Sequence, residues 1–67
     1  MDIILALTKE FALKQTHVEN TVKLIDDGNT IPFIARYRKE MTGALDDQVL
    51  RALSERLEFL RNLDYFT

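Results

Sequence analysis

The sequence predicts an all-α fold, a small bundle of about four helices. Three observations carry this. Apolar residues recur at helical spacing in four segments, no segment alternates with the period of two that a strand needs, and Gly28 and Gly43 stand where helices should stop. With 67 residues, 46% of them apolar and 30% charged, the chain has material for one thin core and lacks the composition of a disordered tail. Residues 1–67 therefore read as a single helical module.

Helix one lies between Ile3 and Leu13, where Ile4, Leu7 and Phe11 share a face and Asp2 is placed to cap the first turn. Helix two is expected to open at "THVE", with the Thr16 hydroxyl and the Glu19 carboxylate forming a capping box. Val18, Val22 and Ile25 make its stripe, and Glu19 to Lys23 has the spacing of a favourable ion pair. Gly28 should close this helix in the left-handed conformation, with Asn29 and Thr30 in the turn that follows.

Helix three begins beside Pro32, whose missing N–H costs nothing in a first turn, with Thr30 or Ile31 as the cap; it should run to about Met41 and end at Gly43. A helical wheel groups Phe33, Ile34, Tyr37 and Met41 as its packing face, which favours the core for Tyr37 over a base-stacking platform. Helix four starts after Leu45 and Asp46, with an aspartate cap and a Leu45 to Leu50 hydrophobic staple. Leu50, Leu53, Leu57 and Leu60 form its strip, and Phe59, Leu63 and Phe66 widen the apolar face near the end. Two readings of that width compete: the helix spans the bundle, or it exposes a patch that docks on a protein partner.

Formal net charge is −2, yet residues 31–43 hold Arg36, Arg38 and Lys39 against the single carboxylate Glu40. An acidic chain is a poor candidate for coating nucleic acid non-specifically, so the interest is local. Arg36, Lys39 and Arg38 are the candidate nucleic-acid-binding residues, for RNA or DNA. Arg36 and Lys39 lie on the polar side of the wheel, where a solvated face and a phosphate contact are the competing accounts. For Arg38 the favoured account is structural, a bidentate pair with Asp26, Asp27, Asp46 or Asp47 at the edge of the bundle. His17, in the first turn of helix two, reads as a solvated residue.

Helix two, the turn "DGNT" and helix three have the outline of a helix-turn-helix hairpin. Other classes find less support. There is no nucleophile and base arrangement, no metal-ligand cluster and no phosphate-binding glycine loop, so no enzyme activity, catalytic residue, metal or cofactor is expected. The absence of cysteine excludes a disulfide framework, "MDIILALT" lacks the positive charge of a secretory signal, and no stretch is long enough to span a bilayer. A cytoplasmic protein without membrane contact is the expectation.

The run "VENTVKLIDDGNTIPFIARYRKEMTGALDD", Val18 to Asp47, followed by "LRALSERLEFLRNL" and preceded by "MDII", closely resembles the N-terminal region of the bacterial Tex family of transcription accessory proteins. The resemblance covers essentially the whole chain. Pro32, Phe33, Ile34, Arg36, Tyr37, Arg38, Lys39, Glu40, Gly43, Leu45 and Asp46 match the family's N-terminal signature, which is not a catalytic motif. At the entry to helix two this sequence has "KQTHVEN", where a typical member has a Ser or Thr-Pro type of entry.

The resemblance implies a helical region with a helix-turn-helix. In the family it precedes a nuclease-like fold generally regarded as inactive, a helix-hairpin-helix module and a C-terminal OB-fold domain credited with most RNA binding. A chain of 67 residues has room for none of those later modules, so a piece of a larger protein or a truncated relative is expected. The resemblance thus implies a non-catalytic scaffolding or docking module, whose partners are the remaining domains of a Tex-like parent or a protein bound through helix four. The alternative is an autonomous small helix-turn-helix DNA-binding regulator.

Overall fold

Side-chain caps start three of the helices in the computed structural model, which describes residues 2–66, Phe66 as backbone only. Helix α1, Ile3–Phe11, begins where the Asp2 carboxylate accepts a hydrogen bond from the Leu5 N–H at 3.1 Å. It ends where Ala12 takes a left-handed conformation at φ 55°. Helix α2, Gln15–Asp26, follows almost at once. It closes through Gly28 at φ 92°, while the Asn29 backbone N–H and side-chain amide both donate to the Leu24 carbonyl, at 3.2 and 2.8 Å.

Helix α3, Ile31–Tyr37, is capped by the Thr30 hydroxyl, which accepts from the Phe33 N–H at 3.4 Å, with Pro32 in its first turn. A short α4, Lys39–Thr42, ends at Gly43 with φ 78°. Helix α5, Asp47–Phe66, begins where the Asp46 carboxylate accepts from the Val49 N–H at 2.9 Å.

The long α5 is the spine. Its 20 residues extend roughly 30 Å in a molecule measuring 36 × 22 × 18 Å. Leu53, Leu57 and Leu60 close on Leu7 of α1 and on Val18 and Val22 of α2. Leu50, one turn earlier, closes on Leu24 and Ile34 as a second cluster. Ile25 and Leu45 pack against both groups and make them one core, with Leu45 set against Leu50 as the staple requires. Among the described residues two polar side chains are fully buried, and both are satisfied. The Thr21 hydroxyl donates to the His17 carbonyl at 2.7 Å, and the Thr42 hydroxyl accepts from the Leu45 N–H at 3.4 Å.

Four expectations need correction. Helix three is not continuous: Arg38, at φ −126° and ψ 33°, separates α3 from α4. The bend serves two packing demands, because Ile34 is buried against Leu24 and Leu50 while the next turn leans on α2, where the Asn20 amide donates to the Met41 carbonyl at 3.1 Å. The packed stripe of α3 runs through Ile31, Ile34 and Ala35, rotated by roughly 100° from the face the wheel grouped. Tyr37 is accordingly 54% exposed and not in the core.

The capping box is also absent. Lys14 is the residue before α2, no side chain caps that end, and Thr16 lies inside the helix. Only Ala12, Leu13 and Lys14 join the two helices, and Leu13 must pack against the core, so α2 starts too early for Thr16 to precede it. The Glu19 carboxylate accepts from the Gln15 amide at 3.2 Å, and among the described residues no Glu19 to Lys23 ion pair forms.

Candidate nucleic-acid interface

The three candidate cations meet around the break between α3 and α4. Arg36 projects from the last turn of α3, Arg38 sits in the break, and Lys39 opens α4. Arg38 has no carboxylate partner among the described residues, which corrects the pairing expected for it. Its guanidinium Nη1 donates to the Tyr37 carbonyl at 3.1 Å and its central carbon lies 5.1 Å from the Phe33 ring centroid. Two of the proposed partners are engaged elsewhere: Asp26 pairs with Arg61, and Asp46 caps α5.

Phe33 and Tyr37, one turn apart on a flank of α3, face each other with ring centroids 5.1 Å apart and planes inclined at 47°. The Arg36 guanidinium lies 5.5 Å from the Tyr37 centroid. Arg38, Phe33, Tyr37 and Arg36 therefore make a connected surface row in which cations flank aromatic rings. Sequence reasoning finds the cations but favours the core over a stacking platform for Tyr37, which the structure leaves exposed. The signal that could have shown it is the competing stripe of Ile31, Ile34 and Ala35, whose burial turns Phe33 and Tyr37 to the flank.

Two arginines of α5 are paired. Arg61 makes a fork-to-fork pair with Asp26, both hydrogen bonds at 2.8 Å, linking α5 to the end of α2. That hydrogen bonding holds the Asp26 carboxyl below the usual carboxylate range and raises Arg61. Arg56 pairs with Glu10 of α1 at 2.9 Å while lying 4.8 Å from the Phe59 ring centroid. His17 is not freely solvated: its ring lies against the Gly43 turn, so that a Cβ placed on Gly43 would stand 2.5 Å from Nδ1.

On α5 Phe59 and Leu63 stay 48% and 42% exposed. Phe66, expected to widen this face, lies outside the described side chains. On another side of α5, Ile25, Ser54, Leu57, Glu58, Arg61 and Asn62 line an open groove of about 310 Å³. Among the described residues no helix is long and apolar enough to cross a membrane, and no three His, Cys, Asp or Glu side chains gather as a metal site would need.

Fold and surface together define a small all-helical module with one cationic, aromatic face. The chain belongs to the Tex-like protein N-terminal domain family, which matches residues 1–65. It is 50% identical over 64 residues to the transcriptional accessory protein Tex of Neisseria gonorrhoeae, covering 96% of this chain and 8% of that protein. It is 54% identical over 59 residues to protein tex of Bordetella pertussis, covering 88% of this chain and 8% of that protein. The human S1 RNA-binding domain-containing protein 1 is 40% identical over 60 residues, 90% of this chain and 6% of that protein. The chain thus spans less than a tenth of the length of these curated relatives. No solved structure matches it.

Proposed function

We propose that this chain is a non-catalytic module of a Tex-like transcription accessory protein. It acts as a scaffold that docks on the further domains of such a protein through α5 and makes an auxiliary contact to nucleic acid through Arg36, Arg38 and Lys39. The observation that carries the nucleic-acid contact is that three cations within four residues lack a carboxylate partner among the described residues, with two of them set over aromatic rings of α3. Unneutralised cations gathered on one surface attract phosphates and release counterions when they bind them. Exposure of Phe59 and Leu63 supports the docking role of α5, since apolar surface left in water gains from being covered. The names of two relatives, a transcriptional accessory protein and an S1 RNA-binding domain-containing protein, support the setting.

The autonomous regulator is less well supported. Helix α3 has seven residues, roughly 10 Å of helix, and the chain turns away at Arg38 before a recognition helix could run along a major groove.

Fluorescence anisotropy with labelled single-stranded RNA and duplex DNA over a range of salt concentrations tests the nucleic-acid contact. Binding should weaken with salt, and the Arg36→Ala, Lys39→Ala double variant should bind more weakly and lower the logarithmic salt slope by about 1.4 on single strands. Absence of binding at low salt, or an unchanged slope in a double variant that stays folded by circular dichroism, would overturn it.

A further inference from the structure

We infer that the ligand of the α3 face is unpaired nucleic acid, a base stacking on the exposed Tyr37 ring while Arg36, Arg38 and Lys39 meet its phosphates. This rests on the nucleic-acid contact proposed above and specifies its chemistry. Two arginine and aromatic sites on the same molecule provide an internal comparison. At Phe59 the neighbouring Arg56 is spent on Glu10, so that site offers a ring beside a neutralised cation. At Phe33 and Tyr37 both neighbouring guanidiniums lack a carboxylate, and Lys39 follows in the next turn.

The rings matter as much as the charges. Tyr37 leaves 54% of its surface in water although the α3 stripe packs beside it, and it belongs to neither core cluster. An exposed ring beside unneutralised guanidiniums matches the two needs of a single strand. Every base has a π-face that an aromatic ring or a guanidinium plane can cover, and every nucleotide carries a phosphate. A duplex hides its base faces and would use only the cations. The seven residues of α3 and the turn at Arg38 leave little length for reading a groove, whereas a flexible strand can follow a short bent surface.

The chain has no tryptophan, so Tyr37→Trp keeps a stacking surface and supplies the sole indole reporter. Titrations would use a ten-nucleotide uridine RNA, the matching thymidine DNA and a ten-base-pair duplex. Both single strands should quench the indole. Tyr37→Ala should weaken single-strand binding by roughly 5- to 150-fold, the range for losing one stacked base, and change duplex binding by less than about twofold. Tyr37→Phe should stay close to wild type. Quenching by RNA alone would still uphold stacking and assign a contact to the 2′-hydroxyl. Unchanged single-strand affinity in Tyr37→Ala, combined with a loss in Arg36→Ala, Lys39→Ala, would overturn the stacking platform while leaving the phosphate contact standing. If none of the three probes binds the wild-type chain, both fall, and an acidic protein surface becomes the better occupant.

Discussion

Replacing Gly43 by alanine should destabilise the domain for two separable reasons. Gly43 has φ 78°, a left-handed conformation that costs an alanine roughly 1 to 2 kcal/mol. The added Cβ would also lie 2.5 Å from Nδ1 and 2.7 Å from Cε1 of His17, so the imidazole must leave its place against the turn. Forcing a side chain off its rotamer costs about 0.5 to 1.5 kcal/mol. The sum is about 1.5 to 3.5 kcal/mol. A domain of 67 residues has in total only about 3 to 10 kcal/mol of stability to lose. Urea unfolding of wild type, His17→Ala, Gly43→Ala and the double variant separates the two contributions. In the His17→Ala background the alanine at 43 should cost only its backbone part, leaving a coupling of about 1 kcal/mol. Additive losses, or a Gly43→Ala cost below about 0.5 kcal/mol, would show that the ring does not constrain the turn that follows α4.

Other perturbations have sharper single causes. Leu53 is fully buried where α5 meets α1 and α2, so Leu53→Ala should cost about 3 to 5 kcal/mol and leave the domain marginal or unfolded by circular dichroism. Asp46→Ala removes the hydrogen bond to the Val49 N–H that starts α5 and should lower stability by about 1 kcal/mol in urea unfolding. The pair between Asp26 and Arg61 is about half exposed, so Asp26→Asn should cost no more than about 1 kcal/mol at neutral pH, and less in high salt. Its acid dependence has a definite sign. Folding lowers the Asp26 pKa, so the pair contributes fully above about pH 4 and its contribution disappears as pH falls through the depressed folded value. Wild type and Asp26→Asn should therefore converge in stability on acidification, as measured by unfolding curves between pH 7 and 2.

The parts of the fold legible in the sequence are those set by neighbours along the chain. The strip of Leu50, Leu53, Leu57 and Leu60 is buried because its spacing defines one face of one uninterrupted helix. Asp2, Thr30 and Asp46 cap the helices they precede, and Gly28 and Gly43 take the positive φ that ends α2 and α4. Pairwise rules within a turn or two suffice for all of these. The failures came where a residue's place depends on a distant element. The wheel treated helix three as continuous, but contact of its last turn with α2 through Asn20 breaks it at Arg38, and the buried stripe follows Ile31, Ile34 and Ala35.

Ion pairing was equally opaque. Asp26 is one of four carboxylates that the sequence offers to Arg38, yet its partner is Arg61, 35 residues away, brought alongside only when α5 lies on α2. With Asp26 taken, Arg38 rests on Phe33. His17 and Gly43 meet by the same kind of long-range packing. At the candidate site the cations could be read from composition, whereas the aromatic half needed the three-dimensional rotation of α3.

Amide chemical-shift mapping of the isotopically labelled chain, titrated with a short single-stranded oligonucleotide at low salt, tests the central claim most directly. The account predicts that the largest shifts fall on residues 33–39, spanning Phe33, Arg36, Tyr37, Arg38 and Lys39, and that those on the exposed part of α5 around Phe59 and Leu63 stay small. Shifts centred on α5, or none at all with the fold intact, would contradict it.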